Sequence, residues 1–124
     1  MVKLKTYKWM TRDDVPTPYN LFYIECGEGW NKILNTLFKK INNILKRDNF
    51  DFALLQVKEK YGGLRIYVSS ATDEIYKLID KAESESFKTC EICGKKGKIY
   101  DNGWVKTRCK ECKKKEESGI GRKR

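Results

Sequence analysis

Four of the chain's five cysteines fall in two pairs, Cys90-Glu-Ile-Cys93 and Cys109-Lys-Glu-Cys112, with fifteen residues between them. Two thiolates three positions apart can bite one metal ion from a single tight turn. An intervening stretch of this length brings the second pair round to the same ion. The spacing predicts one Zn2+ per chain, held by Cys90, Cys93, Cys109 and Cys112. Four protein ligands fill a tetrahedral shell and leave no position for water or substrate, so the site reads as structural. A metal-free redox dithiol and a catalytic zinc are the alternatives, and the closed ligand set disfavours both. Gly94 suits a zinc knuckle, in which the chain turns backbone N–H groups toward the thiolates. Asp101-Asn102-Gly103, between Lys98-Ile99-Tyr100 and Trp104-Val105-Lys106-Thr107, carries the Asn-Gly signal of a hairpin. The Lys/Glu-rich run after Cys112 can carry the second pair on the first turn of a helix. Knuckle, hairpin and helix together predict a treble-clef or ribbon-like module.

Other chemistries have less support. The chain contains no histidine, which removes imidazole as general base, metal ligand or triad member. Neither a Walker-type loop nor a Gly-x-Gly-x-x-Gly fingerprint occurs. The expectation is a protein that is not an enzyme. Cys26 is left over from the paired set and reads as a buried core thiol.

The formal charge of +10 is unevenly placed. Residues 1–89 carry 15 Lys and Arg against 12 Asp and Glu, a net of +3, while residues 90–124 carry 12 against 5, a net of +7. A basic field focused on one module favours an anionic partner: nucleic acid, a nucleotide or an acidic protein surface. Solvated lysine serving solubility is the alternative. For nucleic acid, Lys95, Lys96, Lys98, Lys106, Arg108 and Lys110 supply phosphate contacts, and Tyr100 and Trp104 supply rings that stack on bases. Trp104 can equally be spent on packing against the metal site.

The elements that must position this module come earlier in the chain. At 124 residues, with 40% hydrophobic and 12% aromatic content, one domain with a small satellite is expected. Val2 and Leu4 alternate with lysines as in an edge strand, and residues 20–25 read as a short buried strand ending before Gly27 and Gly29. Trp30, Ile33, Leu34, Leu37, Phe38, Ile41, Ile44 and Leu45 recur at helical spacing, with Lys46 and Arg47 complementing the helix dipole at the end. Residues 52–58 and 64–69 read as two strands of a hairpin. Gly62 and Gly63 supply the positive φ of its turn, and Leu55, Val57, Leu64, Ile66 and Val68 share its apolar face. A second helix starts near Ser70 or Thr72, with Asp73 and Glu74 in its first turn and Ile75, Leu78, Ile79 and Ala82 as its stripe. The fold class is therefore α+β: a small sheet with a β-hairpin covered by two helices, followed by the four-cysteine module. Residues 1–87 form the body and 88–116 the zinc module, with 117–124 expected to be a disordered basic tail. Lys58, Arg65 and Tyr67 remain on the open face of the hairpin, where they suit a small anionic ligand.

No stretch is long enough to span a membrane, and Met1–Lys8 lacks a signal-peptide apolar region, so a cytoplasmic protein is expected. In that compartment thiols stay reduced, and paired cysteines favour metal over disulfide. The series Gln56-Val-Lys-Glu-Lys-Tyr-Gly-Gly-Leu-Arg-Ile-Tyr67, Ala82-Glu83, Cys90-Glu-Ile-Cys-Gly94 and Gly103-Trp104 before Thr107, together with Gly29-Trp30, resembles a family of short, uncharacterised bacteriophage and prophage proteins. The resemblance covers roughly residues 27–112. Some of those relatives carry His at the last ligand position, where this chain has Cys112. It implies a viral accessory role in a host cytoplasm, anti-defence activity included. Charge distribution instead points first to nucleic-acid binding. An inhibitor of a host immune protein, or one that sequesters a nucleotide signal, is the alternative.

Overall fold

A computed structural model describes residues 3–15, 17 and 24–122. The long apolar stripe forms helix α1 (Asn31–Asp48), entered through a short 3-10 turn at Glu28–Trp30. Leu34, Leu37, Phe38, Ile41 and Ile44 are buried along one face, as their three- and four-residue spacing dictates. Asn49 closes the helix in the left-handed region at φ 46, and its N–H donates to the Leu45 carbonyl at 2.8 Å. Strands β1 (Leu54–Lys60) and β2 (Gly63–Val68) pair antiparallel. Helix α2 (Asp73–Ser86) follows, its Ile75 N–H received by the Thr72 hydroxyl at 3.3 Å. Leu54, Val57, Leu64 and Ile66 of the hairpin share one core cluster with Ile75, Ile79 and Ala82 of α2 and the buried face of α1. Arg47 near the end of α1 reaches Glu74 at 2.7 Å and ties the two helices together at that end.

Three local expectations are revised. The hairpin's apolar face includes Leu54 rather than Leu55. Leu54 pairs with Val68 and Gln56 with Tyr67, so the register shifts at Leu55, which is left half-buried. A bulge breaks the two-residue alternation, and sequence periodicity cannot place it. The turn between the strands is Tyr61-Gly62, with φ of 52 and 83, so Tyr61 and not Gly63 takes the second positive φ. Gly63 instead leaves room for the Phe87 ring, which a Cβ would meet at 2.2 Å. Thirdly, residues 3–7 form no strand. Asn35 of α1 receives the Lys5 N–H at 2.8 Å and gives its amide to the Lys3 carbonyl at 2.8 Å, so this segment is laid over the helix. Val2 and most of the strand expected over residues 20–25 lie outside the described residues. Glu25 itself runs beside β1, donating to Val57 O at 2.9 Å and accepting from Glu59 N–H at 3.0 Å.

Beyond α2 come β3 (Lys98–Asp101) and β4 (Val105–Arg108), an antiparallel pair, and helix α3 (Lys110–Arg122). The helix runs past residue 117, where composition placed the start of a disordered tail; a Lys113–Glu117 pair at 2.8 Å, one turn apart, supports it there.

Trp9, in a 3-10 turn, is buried between Phe38 and Phe52, edge to face at 5.5 and 5.3 Å, with its indole N–H on Asn42 Oδ1 at 3.2 Å. Trp9→Ala should therefore lower stability by about 3–5 kcal/mol, the cost of emptying an aromatic core site. Chemical denaturation checks this, and a loss below about 1 kcal/mol would mean that the N-terminal segment is not part of the core.

Candidate metal centre

The four sulfurs of Cys90, Cys93, Cys109 and Cys112 lie within 4.8 Å of one another, and the Cys93 and Cys109 sulfurs are 3.5 Å apart. Four sulfurs around one Zn2+ at about 2.3 Å stand about 3.8 Å from each other, so the cluster is suited to chelate one structural Zn2+. Local backbone geometry explains the convergence. The knuckle closes on itself, with Cys90 N–H on the Lys95 carbonyl at 2.8 Å and Gly94 N–H on the Cys90 carbonyl at 2.9 Å. Gly94 sits at φ 83, open without strain only to glycine. The second pair sits where β4 passes into α3, so Cys112 N–H points at Cys109 Sγ from 3.4 Å. That N–H is the leading reason the Cys109 thiol is drawn down to about 7, while burial pushes Cys112 up to about 12. A divalent cation at the centre favours all four thiolates and outweighs the burial cost.

Cys26 stands outside this cluster. Its thiol is half-buried, and burial, followed by the charges of Glu91 and Glu59, pushes it up to about 12. Its place outside the cluster, not its protonation, is what sets it apart from the four ligands.

The knuckle is docked on the body by backbone groups. Gly29 N–H donates to the Glu91 carbonyl at 2.8 Å, and the buried Trp30 indole N–H donates to the Thr89 carbonyl at 2.9 Å. A Cβ on Gly29 would stand 2.2 Å from the Cys90 carbonyl, so a side chain there is excluded. The Glu91 carboxylate accepts from Gly27 N–H at 2.8 Å on one oxygen and from Arg108 at 3.3 Å on the other. On the far side, the buried Thr107 hydroxyl donates to the Gly62 carbonyl at 2.6 Å, fixing β4 against the turn of the β1–β2 hairpin.

The predicted basic residues separate into two groups. Lys95, Lys96, Lys98, Arg108 and Lys110 line one cleft of about 470 Å³ with Gly97, Tyr100, Cys109 and Glu111. Lys96, Lys98 and Lys110 are exposed. Lys95 reaches Glu111 at 3.3 Å at the surface, and Tyr100 is flanked by the ammonium groups of Lys98 and Lys113, 5.4 and 5.0 Å from the ring centre. Arg108 is only 9% exposed and is held by Glu91, by Glu116 at 3.0 Å and by the Thr107 carbonyl, so it also joins knuckle, strand and helix. Lys106 does not line the cleft and pairs at 3.3 Å with Glu116, the carboxylate that also holds Arg108. Trp104 is 74% exposed and so is not spent on packing against the metal site. On the body, Lys58, Arg65 and Tyr67 do come together: Lys58 is the register partner of Arg65, and its ammonium lies 5.8 Å from the centre of the Tyr67 ring.

No protein-family model, curated protein or solved structure matches the chain. Among the described residues, no helix is long and apolar enough to cross a membrane. One residue of the site escaped sequence reasoning. Glu91 occupies a variable position of the Cys-x-x-Cys pair, and no local signal marks it as the bridge between Gly27 and Arg108.

Elemental analysis of reduced protein should give one zinc per chain, unchanged in Cys26→Ser; loss of metal in that variant would show that the ligand set is misassigned. Chelation should disturb backbone NMR signals from Phe87 onward and those of Gly27–Trp30 and Gly62, which the module touches. Leu34–Ile44 should be spared, since their partners lie in the body. Loss of dispersion throughout would mean that the two parts fold as one.

Proposed function

We propose that this is a zinc-stabilised binding protein, not an enzyme, whose C-terminal module holds the backbone of a nucleic acid. The observation that carries this reading is the cleft in which Lys95, Lys96, Lys98, Arg108 and Lys110 converge beside the cysteine cluster. Five cations from the knuckle, both strands and the helix start meet there, although the sequence scatters them over sixteen positions. A Zn2+ held by four thiolates carries a formal charge of −2, which offsets only part of the module's excess. The remaining charge releases counterions when it meets phosphates. The order of knuckle, hairpin and helix is that of a treble-clef module, and the resemblance to phage and prophage proteins supports a host cytoplasm as its place of action.

The second reading, a phage anti-defence inhibitor that binds a host immune protein or a nucleotide signal, draws support from the adjacency of Lys58, Arg65 and Tyr67 on the open face of the hairpin. The two sites are separable by mutation. Lys96→Ala, Lys98→Ala and Lys110→Ala touch exposed cations of the cleft and avoid the structural Arg108. They should weaken binding to all nucleic-acid sequences alike and reduce the log–log salt slope by roughly 0.7–0.9 for each phosphate that is no longer neutralised. Lys58→Ala with Arg65→Ala should leave that slope unchanged and abolish any small anion or protein bound on the hairpin face. Fluorescence anisotropy across a salt series measures the first effect. Mass spectrometry of co-purified material measures the second. An unchanged slope in the triple variant would place the nucleic acid elsewhere.

A further inference from the structure

The tip of the first hairpin packs against the second hairpin. The Tyr61-Gly62 turn of β1–β2 lies against β4, with the Thr107 hydroxyl on the Gly62 carbonyl at 2.6 Å. A Cβ on Gly62 would stand 3.2 Å from both Lys106 Cα and Val105 Cγ1. Between the tips is a groove of about 330 Å³ lined by Glu59, Tyr61, Gly103, Trp104 and Val105. Its two aromatic rings are the most exposed large hydrophobic side chains among the described residues, Tyr61 at 69% and Trp104 at 74%. Neither ring is there to fill a core.

Tyr61 is also kept against its backbone preference. It takes φ 52 at the first central position of a two-residue hairpin turn, where Asn, Asp or Gly is favoured and a bulky side chain is strained. An exposed, strained aromatic contributes nothing evident to folding, and such outliers collect at binding sites.

The surroundings favour an anionic, planar occupant. The Lys60 ammonium lies 5.6 Å from the centre of the Tyr61 ring and supplies the positive charge beside the groove. Two carboxylates stand near, and each is turned to a backbone N–H of its own turn: Glu59 to Gly62 at 2.7 Å, and Asp101 to Gly103 at 3.4 Å. The groove and the basic cleft are separate hollows near opposite ends of β3: Lys98 at one end of that strand lines the cleft and Gly103 just past the other end lines the groove. Lys98 and Gly103 are five positions apart, at most about 17 Å of extended chain, within the several nucleotides that a single-strand site covers.

We infer that Tyr61 and Trp104 form a stacking platform for unpaired bases, so that the ligand of the zinc-module cleft is single-stranded nucleic acid. This rests on the proposed function and narrows it. Rings offered on a surface stack on any base whose face is free, whereas duplex bases are stacked on each other and present only their edges.

The test uses the full zinc-loaded chain and an oligothymidylate of about 12 nucleotides, compared with a duplex of the same length. Trp9 and Trp30 are buried, so the emission quenched on binding should be that of Trp104 and should disappear in Trp104→Ala. Trp104→Ala and Tyr61→Asn should each weaken single-strand binding on the order of 5- to 150-fold, without changing the salt slope and with little effect on the duplex. Tyr61→Asn relieves the turn, so its melting temperature should rise while binding falls, which rules out misfolding as the cause. Binding to oligothymidylate with wild-type affinity in both variants, while the triple lysine variant is impaired, overturns the stacking platform and leaves the cleft standing. If the unaltered chain binds neither oligonucleotide at low salt, the cleft reading fails and the platform fails with it.

Discussion

The zinc module buries little besides its own cysteines, so the convergence of four sulfurs within 4.8 Å is what holds knuckle, hairpin and helix start together. A segment this short has too little apolar surface to offset the entropy of ordering its backbone. Metal binding supplies that deficit because a preformed site rarely exists in the unfolded chain, and the free energy of coordination becomes free energy of folding. Every cation that lines the basic cleft is placed by this clamp: Lys95 and Lys96 follow the first pair, Lys98 and Arg108 pair across the hairpin, and Lys110 lies inside the second pair.

The clamp is in turn tied to the body through hydrogen bonds that each use at least one backbone group. The Gly29 N–H, the Trp30 indole and the Glu91 carboxylate receive or give hydrogen bonds that cross from the 3-10 turn before α1 to the knuckle. Glu91 and Arg108 form an ion pair that is nearly closed to water, with side chains 12% and 10% exposed. Such a pair contributes little net stability, since desolvation offsets most of the attraction, but removing one partner strands the other. It therefore acts as a register pin, permitting one seating of the knuckle on the hairpin and on Gly27.

Charge on this surface divides by burial. Arg108 and Lys106 are occupied by Glu91 and Glu116 and serve the fold, whereas Lys96, Lys98 and Lys110 remain in solvent. Net charge alone does not distinguish the two uses. A cation with a carboxylate partner in a partly dry site loses its long-range field, while a solvated one keeps a field that salt screens but proteins do not cancel.

The metal ligands were fully legible in the sequence, because Cys-x-x-Cys spacing is dictated by the bite of one ion and needs no tertiary information. The stripes of α1 and α2 were equally plain, since a period of 3.6 is a local property of the chain. Tertiary structure decided the rest. The bulge at Leu55, the burial of Trp9 and the docking of Gly29 on Cys90 depend on what arrives from elsewhere, and no local pattern encodes it. The same holds for the absence of Lys106 from the lining of the cleft and for the meeting of Tyr61 with Trp104. Those two rings lie 43 positions apart in the sequence and face one groove because Thr107 and Gly62 share a buried hydrogen bond across two hairpins.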